Sequence, residues 1–273
     1  MKKGRTSFVR TKQAALLFGF LLAVMVSLGW RFMGGPPTIL FLGDSNTESR
    51  WFAEELHAIF TERVGEASPR LILRGRGGET LSGLSEAQFP GDRPDVFQRL
   101  SRELRRWRPT WVVGWYGMND GLFQPFDQER FLMFQDGLNR FADTILASGA
   151  QLILLTPPLF ARPGRDMPND PQSRRRQVET DHSHARTKLA AEPARYGYFS
   201  PYMYYDDVLT IYADWMKEMG EREKVWVLDI RTPLMENLDK AYDLEDRVHP
   251  NRVGHRIIAE TFLNAWKEIS DGR

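Results

Sequence analysis

Ser45, His249 and Asp246 are the residues whose types and spacing could do chemistry together. A serine hydroxyl becomes a nucleophile only when a base takes its proton, and an imidazole serves as that base when a third group holds its tautomer. Ser45 stands in "FLGDSNTE" (41–48), directly after the apolar run "TILF" (38–41), and "DRVH" places Asp246 three residues before His249. The tetrahedral intermediate of acyl transfer also needs fixed donors for its negative oxygen. The backbone amides of Ser45 and of Gly78, in "RGRGGET" (74–80), and the side-chain amide of Asn119, in "GMNDG" (117–121), could supply three. The glycines at 75, 77 and 78 permit backbone conformations that a Cβ would forbid.

Each piece alone has a plain structural reading. Ser45-x-x-Glu48 fits the S/T-x-x-E capping box and could simply start the helix "RWFAEELHAIFTERV" (50–64). Asn119-Asp120-Gly121 is an ordinary turn sequence. Asp246 and His249 could be a surface pair ahead of a helix reached through Pro250 and Asn251.

What favours the chemical reading is where these pieces fall. Strand-like runs occupy 38–43, 70–75, 110–117, 151–157 and 224–230, and amphipathic helical segments lie at about 50–64, 94–107, 128–148, 203–220 and 252–266. Short aliphatic runs alternating with helices predict a mostly parallel sheet covered on both faces. The loops after the first three strands must then converge on one rim. The fourth piece reaches that rim if the last helix packs beside the first strand. Ser45 can open a helix and still present a reactive hydroxyl, with the helix N-terminus favouring a developing oxyanion.

These blocks resemble those of the SGNH (GDSL-type) hydrolase family. "GDSNT" (43–47) resembles the nucleophile block, "GRGGET" (75–80) the second block with its oxyanion glycine at Gly78 rather than Gly75, "GMND" (117–120) the third, and "DRVH" (246–249) the Asp-x-x-His block. The resemblance spans about 38–268. It implies a three-layer α/β/α sandwich with a five-stranded sheet (SGNH/flavodoxin-like), a serine ester hydrolase activity, no metal or organic cofactor, and catalytic roles for Ser45, Gly78, Asn119, Asp246 and His249. Two positions depart from the pattern. Asn46 and Glu48 stand beside the serine, where they would tune access to it. There is no G-x-S-x-G, so the α/β-hydrolase elbow is not the template.

The chain has 273 residues and no cysteine, which excludes disulfides, thiolate metal sites, a cysteine nucleophile and a lipidated N-terminal cysteine. Residues 1–12 carry five bases and no acid; the remaining 32 bases face 36 acids. A mildly acidic body offers no footprint for nucleic acid, and Arg174–Arg176 read as a solvated loop. Residues 14–30 are seventeen positions without charge. As a helix they reach about 25 Å, the short end of a membrane span. The flanking bases predict a cytoplasmic N-terminus and an exported remainder. Residues 1–33 are then an anchor or a cleaved signal segment, 34–37 a linker, and 38–273 the working domain, periplasmic or extracellular.

Residues 160–202 break the alternation and end in "YGYFSPYMYYDD" (196–207). A connection this long serves as a lid or is disordered, and its tyrosines either pack over the sheet or line a cleft. His182 and His184, beside Asp181, lack further ligands for a metal. His255 reads as a packing or capping histidine, His57 has no evident partner, and Asp44 and Asp120 read as loop-shaping carboxylates. The expected activity is removal of short acyl groups, acetyl above all, with acetylated carbohydrate as substrate because sugars stack on aromatic faces. Transfer to an envelope polysaccharide, lysophospholipid or thioester hydrolysis, and a non-catalytic binding module are the alternatives. No protein partner is expected.

Overall fold

The computed structural model describes residues 36–65, 68–161, 195–243, 245–246 and 248–270. The apolar stretch 14–30, Arg174–Arg176, Asp181, His182 and His184 lie outside them. Among the described residues no helix is long and apolar enough to cross a membrane.

Five strands, β1 (Thr38–Gly43), β2 (Arg70–Gly75), β3 (Trp111–Trp115), β4 (Gln151–Leu155) and β5 (Val225–Leu228), form one sheet in the order β2-β1-β3-β4-β5. Every neighbouring pair is parallel. This is the flavodoxin-like order, in which the chain leaves β1 to one side for β2 and to the other for β3. The described helices are α1 (Ser45–Glu48), α2 (Arg50–Arg63), α3 (Leu100–Trp107), α4 (Gln128–Ala147), α5 (Tyr205–Glu218), α6 (Arg231–Glu236), α7 (Leu238–Ala241) and α8 (Arg252–Ser270).

The alternation of side chains along the strands divides the core in two. Ile39, Phe41, Val113 and Ile153 pack with Phe52, Leu56 and Ile59 of α2 and Ile258, Phe262 and Trp266 of α8. Leu40, Leu42, Val112 and Leu152 pack on the other face with Leu104 of α3, Phe134, Leu138 and Phe141 of α4, and Leu209, Tyr212 and Met216 of α5. The three layers follow from strands that are apolar on both sides. α8 lies beside α2, where Glu55 accepts from Arg252 at 2.7 Å and from Arg256 at 3.2 Å. Phe262 meets Phe41 of β1 edge-on at 5.2 Å, so the last helix does reach the first strand.

Element ends differ from the sequence reading where side chains cap the backbone. The helix expected from 94 begins at Leu100, because Asp95 accepts from Phe97 N and closes a separate 3-10 turn, Val96–Gln98. The strand expected to run to 230 stops at Leu228, and Asp229 accepts from the amides of Arg231 and Thr232 to start α6.

Candidate active site

The C-terminal ends of β1, β2 and β3 lie abreast, with Gly43 opposite Gly75 on one side and Trp115 on the other. Strand order reverses here, and the crevice above such a point is where open α/β sheets hold ligands.

The capping-box expectation for Ser45 is corrected. Asp44 caps α1, its Oδ1 accepting from Asn46 N at 2.9 Å, and Ser45 is the first residue of that single turn. The chain leaves the turn at Ser49, whose ψ of 127° starts α2 separately and without a side-chain cap. Glu48 therefore does not reach back along its own helix. Its Oε2 accepts from Gly77 N at 2.8 Å and ties the Ser45 turn to the loop after β2. Asn46 is buried, with its Nδ2 on Asp44 Oδ1 at 3.2 Å, so it does not tune access as expected.

With no capping bond to make, Ser45 Oγ lies 2.8 Å from His249 Nε2. His249 Nδ1 lies 2.9 Å from Asp246 Oδ2. The other oxygen of Asp246 accepts from the amides of Val248 and His249, both at 3.0 Å, which fixes the carboxylate within its own tight turn. An ionised Asp246 accepts a hydrogen bond from Nδ1–H, leaving the Nε2 lone pair to face the serine. Burial disfavours the Asp246 anion, but the bonds from His249 and the turn amides outweigh it and lower its pKa to about 2. Burial also disfavours the imidazolium of His249, yet the bond and charge of Asp246, helped by the charge of Asp44, leave its pKa raised above 6.5. Asn251 secures this loop to α8: its Oδ1 accepts from Gly254 N at 3.1 Å and its Nδ2 donates to Lys240 O at 3.0 Å.

Gly78 adopts φ +74°, and a Cβ there would stand 2.5 Å from Phe89 Cζ. Both facts call for glycine. Among the described residues nothing accepts from the amides of Ser45 or Gly78. Asn119 is buried and held at both ends of its amide. Nδ2 donates to Asp44 Oδ2 at 3.2 Å and to Glu79 O at 3.4 Å, while Oδ1 accepts from Arg93 Nη1 at 3.0 Å. The two Nδ2 bonds are at the long, weak end of the range. Asp44 and Asp120 do shape loops. Asp120 Oδ1 accepts from Leu81 N and Ser82 N, each at 2.8 Å. Burial raises the pKa of both carboxyls, Asp44 to about 6.

The model of the GDSL-like lipase/acylhydrolase family matches residues 41–257. The chain belongs to this family. It is a serine carboxylic ester hydrolase. Among solved structures, Axe2, an acetylxylan esterase from Geobacillus stearothermophilus, resembles it with a TM-score of 0.56 and 20% identity, covering 85% of this chain and 94% of that one. LAE5, an α/β hydrolase enzyme from the metagenome of Lake Arreo, Spain, does so with a TM-score of 0.55 and 21% identity, over 86% and 96%. At such identities the likeness is one of fold. No curated protein matches the sequence.

In this GDSL-like hydrolase neither of the other two described histidines is bonded to the serine. His57 is exposed on α2. His255 is fully buried with Phe52 and Trp115 beside it, and burial lowers its pKa to about 3, so it packs as a neutral ring. The aromatic run that ends the insertion divides. Tyr202 and Tyr205 are buried, whereas Tyr198 is 45% and Phe199 72% exposed, with Tyr198 edge-on to Phe89 at 5.4 Å. The sequence reading missed Glu79, Glu86, Arg93 and Arg99. Glu79 accepts from Arg99 at 2.7 and 2.5 Å and from Tyr116 Oη at 2.8 Å, all buried. Their one sequence signal is a run of charge between two apolar elements, and spacing does not say which of those charges go inside.

Proposed function

We propose that Ser45 is the nucleophile of an acetyl-ester hydrolase acting on acetylated carbohydrate outside the cytoplasm. The observation that carries the reading is the continuous Ser45–His249–Asp246 hydrogen-bond chain, 2.8 and 2.9 Å long, at the rim where β1 ends.

His249 Nε2 takes the Ser45 proton as Oγ attacks the ester carbonyl carbon. Asp246 keeps the other ring nitrogen protonated and stabilises the imidazolium that forms. The carbonyl oxygen becomes an oxyanion facing the amides of Ser45 and Gly78 and the Nδ2 of Asn119. Asn119 exchanges its weak 3.4 Å bond to Glu79 O for that oxyanion. The tetrahedral intermediate collapses, the sugar hydroxyl leaves with the proton from His249, and the acyl group stays on Oγ. A water then gives a proton to His249 as its oxygen attacks the acyl carbon; the second tetrahedral intermediate collapses, His249 returns that proton to Ser45 Oγ, and the carboxylic acid leaves.

Support for a sugar substrate comes from two exposed rings, Tyr198, which packs on Phe89, the ring that abuts Gly78, and Phe199, which packs on Tyr198. The acetylxylan esterase among the similar structures points the same way. The charge-free stretch 14–30 behind five bases supports placement at a membrane with the catalytic domain exported.

The test is acetate release from an activated acetyl ester and from acetylated xylo-oligosaccharides by the full-length protein in detergent. Turnover by the native protein and none by Ser45→Ala is the expected result. Equal rates from the two proteins would remove Ser45 from the chemistry. Activity on the activated ester but on no acetylated sugar would remove the carbohydrate assignment alone.

A further inference from the structure

Behind the oxyanion donors lies a guanidinium that the mechanism above does not use. The Arg93 side chain has no exposed surface, and the Glu86 side chain paired with it is 3% exposed. Arg93 Nε and Nη2 donate to the two oxygens of Glu86, each at 2.6 Å. That fork satisfies one edge of the guanidinium and neutralises it. Its third nitrogen, Nη1, points the other way and donates to Asn119 Oδ1 at 3.0 Å and to Gly78 O at 3.3 Å. One side chain thus touches two of the three residues whose donors face the oxyanion. The guanidinium plane is itself held between rings, 4.2 Å from the centroid of Phe89 and 5.5 Å from that of Phe123.

We propose that Arg93 is the positioning residue of the oxyanion site, acting chiefly through Asn119. The proposal rests on the ester-hydrolysis reading above. Three consequences follow from the geometry. With Oδ1 occupied by a cation, the Asn119 amide cannot turn over and keeps Nδ2 on the Asp44 side, next to Ser45. A charge-assisted bond at Oδ1 also polarises the amide, which makes Nδ2–H a stronger donor to a developing negative oxygen. The hold on Gly78 O fixes the peptide that follows the second donor. Glu86 has a further partner: its Oε1 accepts from Tyr198 N at 3.1 Å. The same ion pair therefore ties the oxyanion side to the exposed aromatic segment at the end of the insertion.

The experiment is a double-mutant cycle on the full-length protein with an activated acetyl ester. Arg93→Met with Glu86→Gln removes both charges at similar volume, so no lone charge is left buried. It is made in the native and the Asn119→Ala backgrounds, with Ser45→Ala in the same assay. In the native background kcat falls about 10- to 100-fold with KM within about twofold, because the lost interaction belongs to the transition state. In the Asn119→Ala background the further loss is under about threefold, since the two residues act as one unit. Arg93→Lys, which keeps the charge and loses the fork, gives an intermediate kcat. If the charge-free pair does not fold, the same cycle run with Arg93→Lys carries the test. An equal fold-loss in both backgrounds, or a loss confined to KM, overturns the clamp while leaving the esterase intact. An active Ser45→Ala protein overturns instead the reading on which the clamp rests.

Discussion

The side of the site that carries Gly78 and Asn119 is buried and crossed by ion pairs, whereas the side that carries Asp246 and His249 opens to solvent. Asn119 is 4% exposed and Asp120 fully buried, while the side chains of His249 and Asp246 are 37% and 51% exposed. The difference matches the two tasks that the proposed mechanism gives these sides. Donors to an oxyanion must stand beside it before charge develops, with no more to do than exchange one weak bond, because a large reorientation during reaction gives the stabilisation back. The loop from Arg76 to Ser82 is accordingly pinned from several directions: Glu48 at Gly77, Arg93 at Gly78, Arg99 at Glu79 and Asp120 at Leu81 and Ser82. The base has to exchange protons with water and with a leaving alcohol. A short, self-bonded turn at the rim holds its tautomer without closing it off.

The comparison breaks most readily at its extremes. His249→Ala is expected to lower kcat by about 10⁴-fold or more while leaving the thermal midpoint nearly unchanged, since the ring is part-exposed and makes few core contacts. Single-turnover kinetics beside a melting curve check both halves. Arg99→Met should do the reverse. It strands the buried Glu79 carboxylate, and loss of one partner from such a pair costs about 3–5 kcal/mol. Denaturant unfolding reads that loss directly; a change below about 1 kcal/mol would mean that the oxyanion side does not depend on its ion pairs.

Asn119→Ala should lower kcat by about 10²- to 10³-fold with little change in KM. A loss shared equally between kcat and KM would make its amide a ground-state contact. The smallest effect is in the pH profile. His249 must be neutral to act, and its pKa lies above 6.5, so the acid limb of kcat/KM should have its midpoint above 6.5. Asp246→Asn should move that limb downward, because it removes the bond and charge that raise the imidazole. The sign for stability runs separately from each partner. His249 contributes below its ordinary 6.5 and loses that contribution as pH rises through its raised folded value. Asp246 contributes above its ordinary 3.8 and loses it as pH falls toward about 2. The pair is therefore worth most between about pH 4 and 6.5, and only slightly, being half in water.

Much of this was legible in the chain because it is local. The apolar runs at 38–43 and 151–157 announce buried parallel strands through composition alone, and all five strands fall within the five strand-like runs. "DRVH" could be read as a base and its orienting acid because three residues of turn suffice to join them. Ser45 was harder. Its local sequence fits a capping box, and only the neighbouring loop shows that Glu48 is engaged at Gly77 instead. The helix that forms, Leu100–Trp107, is shorter than the periodicity over 94–107 suggests for a similar reason, the cap at Asp95 being a local rival to helix that periodicity does not register.

Residue order by itself determined the α/β class and the run of strands and helices, and it singled out five candidate residues for acyl transfer. Each of these is encoded in side-chain period, turn chemistry or short spacing. Tertiary structure alone decided that residues 45 and 249 meet, that Asp44 rather than Ser45 caps the turn, and which charges lie inside. Arg93 with Asn119 and Arg99 with Glu79 are pairs that lie 26 and 20 residues apart. A buried charge is tolerable only where a partner arrives to meet it, and that arrival depends on packing that no local pattern records.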